Sequence, residues 1–401
     1  MKICMLSNLY PPIITGSSTQ SAALARELVC LGHEVIFITA HVDKDTPSYE
    51  SIEGVHVYRL PAFRLPKLGI ALNFAWLSIT FTPSNQRRIN EIITKHQPDV
   101  LHLHNHMFDI AFSAVRMSRI FKIPVVLTIH TIIKHGNPLY NLLLYPLDQI
   151  MLRYLVINQV DNMILPDLNA RRYVIEAFKV APTYGDVIPY GISLPDKPSD
   201  DVAARLLEQY DLVDKRVILS LGHLHEIRNR HDLIRAMPDV LKEHPNTVLL
   251  IVGTVATESP KILAKQLGVD QAVIFAGAMP HDQIPAFLSI ADLEAHWLNQ
   301  DEPENTSLGI ASLEAMSAGT TILAAANPDT YGKGMLKHDE NIIIVEPHQP
   351  EELAQVIIDL LEDDTRRNRI GEKARQTIAK YFSWESVCQK TIAVYENVKG
   401  R

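Results

Sequence analysis

Short runs of apolar and β-branched residues alternate along the first half of the chain with longer segments whose apolar residues recur at helical spacing. In residues 20–33, for example, Leu24, Leu28 and Val29 share one helical face, and Gly32 follows the last turn, where a glycine commonly ends a helix. Nearly continuous apolar strands separated by helices are typical of a parallel sheet covered on both faces. The predicted strands of this half are residues 2–6, 34–39, 55–60, 99–104, 124–130, 162–166 and 186–190.

The same alternation begins again near residue 216, after a stretch at 192–204 that is rich in proline, serine and aspartate and that we interpret as an inter-domain connection. The sequence therefore predicts an α/β fold of two Rossmann-like, doubly wound parallel-sheet domains that face each other across a deep cleft. The predicted boundaries are 1–190, 191–382 and 383–401, and the last segment is predicted to be a helix that packs back on the first domain. The predicted strands of the second half are 216–222, 247–253, 272–278, 291–297, 320–325 and 341–346, with helices at 231–244, 259–267, 281–290, 308–318 and 350–361.

The composition is that of a folded globular protein. A length of 401 residues suits two or three domains, and 47% hydrophobic with 21% charged residues argues against a disordered or fibrous chain. Cys4, Cys30 and Cys388 show no C-x-x-C spacing, which argues against a disulfide framework or a cysteine zinc site and favours a reducing, cytoplasmic compartment. No apolar run approaches the ~20 residues that cross a bilayer, so an integral membrane protein is not expected.

The formal net charge of -8 is unevenly distributed, because the second half carries the acidic excess while residues 51–150 are basic. Such asymmetry is found where one half faces an anionic membrane, and equally where two domains simply differ. No basic run alternates with aromatic residues, so a nucleic-acid partner is not expected. Segments 59–88 and 139–157 are interpreted either as a surface for anionic lipid or as ordinary core helices or a dimer contact. The basic residues of the first segment are Arg59, Arg64, Lys67, Arg87 and Arg88.

Residues 10–17 form a loop between the first predicted strand and the first predicted helix, and the loop contains two prolines and Gly16. A glycine at the positive end of a helix allows the backbone to approach a phosphate closely. The alternative is that Gly16 only serves a turn. The loop is not G-x-G-x-x-G, so a dinucleotide-dependent dehydrogenase is not indicated.

Residues 221–230 follow the end of a predicted strand and carry Gly222, His223 and Arg228. A guanidinium such as that of Arg228 suits bidentate pairing with a diphosphate, and His223 would add a donor. The alternative is a solvated basic loop.

Residues 305–319 begin with small and polar residues and continue as an apolar helix. This pattern predicts a helix N-terminus near Ser307 whose free amides suit a phosphate. Glu314 lies two turns into this helix, where an acid needs a partner. That partner is either the hydroxyl groups of a ribose or the cation of an internal salt bridge.

This combination of elements resembles the retaining glycosyltransferases of family 4, which are glycogen-synthase-like group 1 glycosyltransferases of GT-B fold. Seven motifs of the family have counterparts in the right order through nearly the whole chain. The matching segments are Pro11 to Gly16 for P-P-x-x-G-G, Gly32 to Val35 for G-H-E-V, His102 to His104 for H-x-H, Thr128 to His130 for T-x-H, Ile188 to Gly191 for I-P-N-G, Gly222 to Asn229 for G-R-L-x-x-x-K-G and Thr306 to Gly319 for E-x-x-G-x-x-x-x-E-A-M-A-x-G.

The resemblance implies that the first domain binds the acceptor and the second binds a nucleotide-sugar donor. It implies catalytic roles for three residues: His130 lines the sugar pocket and donates to a sugar hydroxyl, Arg228 stands where the family has a phosphate-binding lysine, and Glu314 holds the ribose. It implies no cofactor and no obligatory metal ion, because cationic side chains and amides bind the diphosphate. The implied donor-binding residues are Gly16, Gly222, His223, Arg228, Glu304, Thr306, Ser307, Leu308, Gly309 and Glu314.

Three positions depart from the family's motifs. Thr15 replaces the first loop glycine, His223 replaces an arginine, and Thr306 replaces the first glutamate of the paired-glutamate motif. Histidine is mostly neutral near pH 7, and a threonine accepts fewer hydrogen bonds from sugar hydroxyls than a glutamate does. Either Glu302 or Glu304 compensates, or the donor sugar differs, or activity is impaired.

The expected reaction is transfer of a sugar from a nucleotide diphosphate sugar, such as a UDP- or GDP-sugar, to an acceptor hydroxyl with retention of configuration. We expect a role in the synthesis of a glycolipid, polysaccharide or other glycoconjugate of the cell envelope. A lipid-linked or saccharide acceptor would bind the first domain, with a peripheral position on the inner face of the cytoplasmic membrane as a further hypothesis. Structural roles are expected for His102, His104 and His106. The alternatives from other classes are a catalytically silent nucleotide-sugar-binding protein and a GT-B nucleotide-sugar epimerase.

Overall fold

The chain forms two units, each with its own sheet and helices, in the computed structural model. Unit 1 comprises Met1–Gly191 together with Trp384–Arg401, and unit 2 comprises Ile192–Ser383. The structure describes residues 1–43, 45–64, 78–132, 142, 145–196, 198–222, 230–254, 257–298 and 307–400.

The sheet of unit 1 is built from the short apolar segments that the sequence pattern predicts, extended at one edge. Its strands are β1 (Lys2–Leu6), β2 (Glu34–His41), β3 (Tyr49–Ile52), β4 (Val55–Pro61), β5 (Phe63–Arg64), β6 (Ser78–Ile79), β7 (Val100–His104), β8 (Val125–Thr128), β9 (Asn162–Leu165) and β10 (Asp186–Val187). Eight of them form one sheet in the order β10-β9-β8-β7-β1-β2-β4-β3, and β5 pairs separately with β6.

The edge strand β3, which is not among the predicted strands, runs antiparallel to β4. Glu53 and Gly54 join the two strands and have φ values of 49° and 83°. Two consecutive positive φ values are typical of the tight turn that connects antiparallel strands. The other strand pairs of the large sheet are parallel.

Helices cover this sheet and present their apolar faces to it. They are α1 (Gly16–Cys30), α2 (Pro83–His96), α3 (Ile110–Phe121), α4 (Tyr145–Leu155) and α5 (Leu168–Phe178). The first helix begins four residues before the predicted start at residue 20, because Thr15 caps it: the Thr15 Oγ1 atom accepts a hydrogen bond from the Ser18 amide at 3.1 Å. Leu24, Ala25 and Leu28 of α1 are buried against the sheet.

Arg59 does not belong to a lipid-facing surface, which corrects one residue of the predicted basic set. Its side chain is buried, its guanidinium pairs with Glu50, and it donates to the Pro47 carbonyl at 3.1 Å. A charge this deep in the fold is retained because it is paired and hydrogen-bonded. Arg64, Arg87 and Arg88 are exposed, and Lys67 lies outside the described residues.

Unit 2 contains a six-stranded sheet whose strand pairs are all parallel. Its strands are β11 (Arg216–Leu221), β12 (Thr247–Val252), β13 (Val273–Gly277), β14 (Leu293–Trp297), β15 (Thr321–Ala324) and β16 (Ile343–Ile344), in the order β13-β12-β11-β14-β15-β16. Its helices are α6 (Asp200–Gln209), α7 (Arg230–Glu243), α8 (Ser259–Gln266), α9 (Ile284–Ser289), α10 (Ile310–Ala318), α11 (Pro350–Glu362) and α12 (Asp364–Tyr381).

Two predictions about unit 2 need correction. Helix α6 occupies the second part of the predicted connection, and the acidic residues Asp200 and Asp201 in its first turn favour a helix start through the helix dipole. The helix predicted at 281–290 is a 3-10 turn, His281–Gln283, followed by α9, which has Pro285 in its first turn, where a proline is tolerated.

The final helix, α13 (Trp384–Lys399), belongs to unit 1 rather than to the adjoining unit 2. It buries Val387, Cys388 and Tyr395 in the core of that unit, and the Lys399 Nζ atom lies 2.7 Å from the Asp99 carboxylate. No helix in the part of the chain that the structure describes is long and apolar enough to cross a membrane.

Candidate functional site

The carboxyl ends of β7 and β8 in unit 1 carry a group of polar side chains. Asn105, directly after β7, has a φ of 68°, and its backbone amide donates to the Thr128 carbonyl at 2.9 Å. Its side-chain Oδ1 atom accepts a hydrogen bond from the His130 amide at 3.0 Å. Asn105 therefore links the two strand ends and fixes the backbone from which the His130 ring projects.

Three histidine rings lie in contact at this edge. The His104 Nδ1 atom is 2.9 Å from His130 Nε2, and His130 Nδ1 is 3.3 Å from the Tyr190 hydroxyl. His102 lies beside His104 with ring centres 4.1 Å apart and ring planes tilted by 36°, and its two nitrogens lie 2.6 Å from the Tyr395 hydroxyl and 2.7 Å from Thr128 Oγ1.

These imidazoles are neutral near pH 7. Burial lowers the pKa of His102 and of His130 to about 3 and that of His106 to about 4, and it lowers the pKa of His104 well below its ordinary value. Removing a charged imidazolium from water is unfavourable when no anion compensates it. The rings therefore supply hydrogen-bond donors and acceptors rather than positive charge.

The first helix of unit 1 explains the departure at Thr15. Thr15 and Ser18 form a capping box, in which Ser18 Oγ accepts from the Thr15 amide at 2.8 Å and Thr15 Oγ1 accepts from the Ser18 amide. Gly16 is the first residue of α1, and a Cβ atom added to it would meet nothing within 4 Å. The backbone at Gly16 thus borders open space at the positive end of a helix.

In unit 2, β11 ends at Leu221, and Gly222, which follows it, has a φ of 96°. The sequence analysis missed Arg230, the first residue of α7. Arg230 is buried and donates to the carbonyls of Leu221 at 2.7 Å and of His296 at 3.0 Å. It therefore holds together the carboxyl ends of β11 and β14. The local sequence gives no signal for this role, because the role depends on two strand ends that meet only in the folded protein.

Glu314 lies on α10 with 23% of its side chain exposed, and its Oε1 atom is 2.7 Å from His281 Nε2. The structure thus shows the ion-pair partner that the sequence analysis named as the alternative to a ribose. The His281 side chain is 83% exposed. An ion pair this open to solvent is weak, so a ligand can replace the imidazole at little cost.

The start of α10 lies two residues after the predicted start, because Gly309 adopts the extended N-cap conformation with φ -67° and ψ 153°. Ser307 Oγ is 3.0 Å from Thr330 Oγ1, and the Leu308 carbonyl accepts from the Tyr331 hydroxyl at 3.2 Å. These contacts fix the segment that leads into the helix. His223, Arg228, Glu302, Glu304 and Thr306 lie outside the described residues.

Family models match both halves of the chain. The model described as Glycosyltransferase Family 4 matches residues 14–195, and the model described as Glycosyl transferases group 1 matches residues 205–377. The chain belongs to the family 4, group 1 glycosyltransferases. The predicted family is therefore confirmed.

Curated relatives of this glycosyltransferase match along most of their length. An uncharacterized glycosyltransferase from Methanocaldococcus jannaschii is 29% identical over 99% of this chain and 98% of that protein. Glycogen synthase from Mycobacterium tuberculosis is 26% identical over 98% and 94%. Alpha-monoglucosyldiacylglycerol synthase from Streptococcus pneumoniae is 26% identical over 82% and 72%.

Solved structures confirm the predicted GT-B fold. Sucrose-phosphate synthase from Thermosynechococcus elongatus superposes with a TM-score of 0.74 at 19% identity over 99% of this chain and 98% of that chain. The Anabaena protein HepE in complex with UDP-glucose superposes with a TM-score of 0.71 at 18% identity over 99% and 100%.

A buried Glu294–His296 pair on β14 is a further feature of this glycosyltransferase that the sequence analysis did not single out. Glu294 Oε1 is 2.7 Å from His296 Nδ1 and accepts from the Leu221 amide at 3.3 Å. The pair lies inside the fold, near the strand ends that Arg230 holds. Across the described ranges of the chain, no group of three or more histidine, cysteine, aspartate or glutamate side chains is arranged to bind a metal ion.

The contact between His281 and Glu314 makes a testable pH prediction. The hydrogen bond to Glu314 raises the pKa of His281 above its ordinary value of 6.5, because it favours the protonated imidazole. The neighbouring acid Asp282 acts in the same direction. The stabilisation from this contact is complete below pH 6.5 and is lost as the pH rises through the raised pKa.

An NMR titration of the His281 ring should therefore have its midpoint above 6.5 in the wild-type protein. The midpoint should fall in Glu314→Gln and stay unchanged in Glu208→Gln, which alters an exposed acid on α6. A midpoint that does not respond to Glu314→Gln would refute the contact.

Proposed function

We propose that this glycosyltransferase moves a sugar from a nucleotide diphosphate sugar to an acceptor hydroxyl with retention of the anomeric configuration. The observation that carries the proposal is Glu314, a partly buried acid whose partner in the structure is an exposed and replaceable imidazole. Two vicinal ribose hydroxyls would donate to this carboxylate in its place. The structural similarity to HepE, which was solved in complex with UDP-glucose, supports a nucleotide sugar as the ligand class.

The departing diphosphate gains negative charge as the bond to the anomeric carbon breaks. In the proposal, Arg228, His223 and the backbone amides after Thr306 stabilise that charge, and Gly222 and Gly16 let the backbone approach the donor. Electrostatic stabilisation of a leaving group is commonly the largest contribution to such catalysis. Cationic side chains and amides would do this without an obligatory metal ion.

His130 would contact a sugar hydroxyl, and Glu304 or Glu302 would replace the glutamate that Thr306 lacks. The neutral His130 ring suits a hydrogen bond to a hydroxyl better than a role as an acid, because burial holds its pKa at about 3. Among the described residues, the hydrogen-bond partners of the His130 ring are His104 and Tyr190, and neither is a carboxylate. We therefore propose that the leaving phosphate helps to deprotonate the acceptor.

A groove on unit 1 suits a lipid-linked acceptor or an anionic membrane surface. It lies between α2 and α3, has a volume of about 580 Å³, and is lined by the exposed apolar side chains of Phe81 and Ile120. Arg87, Arg116 and the single acid Glu91 also line it, and neither arginine forms an ion pair with any described residue. Apolar side chains beside unpaired arginines suit a lipid chain with an anionic head group. The similarity to alpha-monoglucosyldiacylglycerol synthase agrees with this class of acceptor.

The decisive experiment is a panel of UDP-, GDP-, ADP- and dTDP-sugars, each with anionic liposomes, with a membrane lipid extract, with soluble sugar phosphates, or with no acceptor. We expect one donor to release nucleoside diphosphate only when an acceptor is present. This release should persist in excess EDTA. NMR of the product should show the same anomeric configuration as the donor sugar. Inversion would exclude the retaining reaction, and EDTA inhibition would exclude metal independence. Donor binding without release in every arm would favour a silent binding protein, and sugar isomerisation without an acceptor would favour an epimerase.

A further inference from the structure

His104 is a buried imidazole that the proposed reaction does not use. It ends β7, only 1% of its surface is exposed, and its ring lies between those of His102 and His130. Its Nδ1 atom is 2.9 Å from His130 Nε2. Its Nε2 atom is buried and has no hydrogen-bond partner among the residues that the structure describes.

A neutral imidazole carries one proton, so the contact between His104 and His130 allows two arrangements. In the first, His104 holds its proton on Nδ1 and donates to His130 Nε2. In the second, His130 donates from Nε2, and His104 must then hold its proton on the buried Nε2. The two arrangements differ in what is left at His104 Nε2: a bare nitrogen in the first and an N–H group in the second.

The first arrangement is favoured by the cost of burial. A buried N–H group without an acceptor loses a strong hydrogen bond to water, and such groups are rarer in folded proteins than acceptors without a donor. His104 therefore holds its proton on Nδ1. The His130 Nε2 atom then accepts a hydrogen bond and must be unprotonated.

The single proton of His130 then lies on Nδ1. We infer that His104 is a positioning residue that holds His130 in the Nδ1–H tautomer and so makes the Nδ1 atom of His130 a hydrogen-bond donor. The Tyr190 hydroxyl accepts this bond at 3.3 Å. That distance is longer than the usual 2.7–3.2 Å, so the bond is weak and a ligand oxygen can replace it.

The tautomer of His130 does not depend on the proposed function, but its effect on a bound sugar does. If His130 lines the sugar pocket, the tautomer means that it donates to a sugar hydroxyl and accepts nothing from it. Tyr190, whose ring is parallel to that of His130 within 2°, occupies the donor until a ligand arrives. The tautomer itself can be measured without any sugar.

The test is nitrogen-15 NMR of the histidine side chains of the full chain at pH 7.5, where protonated and bare ring nitrogens differ strongly in chemical shift. The chain has 17 histidines, so the His130 signals are assigned by their loss in His130→Asn. We expect a protonated Nδ1 and a bare Nε2 on His130. If the wild-type protein shows a protonated Nε2 on His130, or an even mixture of the two tautomers, that result is sufficient to overturn the inference.

Variants then show whether His104 is responsible. His104→Leu removes the donor, and the His130 tautomers should become mixed. His104→Asn places an amide N–H near the former Nδ1 atom and should keep the wild-type tautomer. The matched control is His106→Leu. His106 is as buried as His104, but its Nε2 atom lies 3.2 Å from the Tyr173 hydroxyl, and its described hydrogen bond is not to His130. Unchanged His130 signals in a folded His104→Leu protein would refute the role of His104.

Turnover separates this inference from the proposed function. With the active donor, kcat/KM should fall about twofold in His104→Leu, because only the fraction of the enzyme that keeps the Nδ1–H tautomer of His130 is competent, and it should recover in His104→Asn. If the tautomer is as inferred but no donor is turned over, the proposed function fails and the inference stands. If turnover is found but His130 carries its proton on Nε2, the inference fails alone.

Discussion

Glu314→Ala is expected to weaken the binding of the donor's nucleoside diphosphate about 100-fold. A carboxylate that accepts two ribose hydroxyls makes two hydrogen bonds to a charged group, and their loss costs about 3 kcal/mol. The fold should tolerate the change, because the contact that Glu314 makes in the structure is to a largely exposed His281 side chain. The loss should therefore appear in binding and not in stability.

Isothermal titration with UDP and with GDP measures this effect on the wild-type protein and on each variant. Glu314→Gln keeps the size of the side chain but removes its charge, and we expect it to lose less affinity than Glu314→Ala. Glu208→Ala is the matched control, since it removes an exposed glutamate from another helix of unit 2. Affinity within twofold of wild type in Glu314→Ala would show that this acid does not hold the ribose.

Gly371→Ala is expected to lower the free energy of unfolding by about 3 kcal/mol, the upper range for overfilling a packed interior. Gly371 lies on α12, where alanine would ordinarily be the better helix former. A Cβ atom at this position would, however, stand 2.0 Å from the carbonyl oxygen of Gly319 and 2.9 Å from its carbonyl carbon. Both contacts are to backbone, which has no side-chain freedom with which to move away.

Urea denaturation followed by circular dichroism measures the change. Gly16→Ala serves as the control for stability, because it also places an alanine in a helix but has nothing within 4 Å of its new Cβ. We expect that control to stay within about 0.5 kcal/mol of wild type. A Gly371→Ala protein as stable as wild type would mean that α12 and the end of α10 do not approach each other as closely as the structure shows.

Much of the fold was predictable because its strands are buried on both faces. Segments such as 2–6 and 247–252 are continuous apolar runs, and their type follows from the residues alone. Helix α12 was not predicted, because it buries little besides Ile370, Ala374 and Ile378 among many charged residues. So few apolar residues give a weak periodic signal in the sequence. Helix α12 is stabilised by the surface of unit 2 against which those residues pack.

The candidate site was predictable only where chemistry coincides with a motif. Glu314 was found because an acid within an apolar helix needs a partner, and the sequence analysis named both possible kinds. The partner itself, His281, is 33 residues away and has no local signal. In the same way, the contact between His102 and Tyr395 joins residues 293 positions apart, and Arg230 acts on carbonyls of two different strands.

By itself, the sequence determined the family, the GT-B fold and most of the buried parallel strands, because these depend on periodicity and on motifs read along the chain. Only the tertiary structure decided which side chains meet. It paired His281 with Glu314, placed His104 against His130, buried Arg59 beside Glu50 and put the Tyr190 hydroxyl beside Nδ1 of His130. The physical reason is that hydrogen bonds and pKa values depend on distances of about 3 Å between atoms that are remote in sequence, and on burial that the whole unit creates.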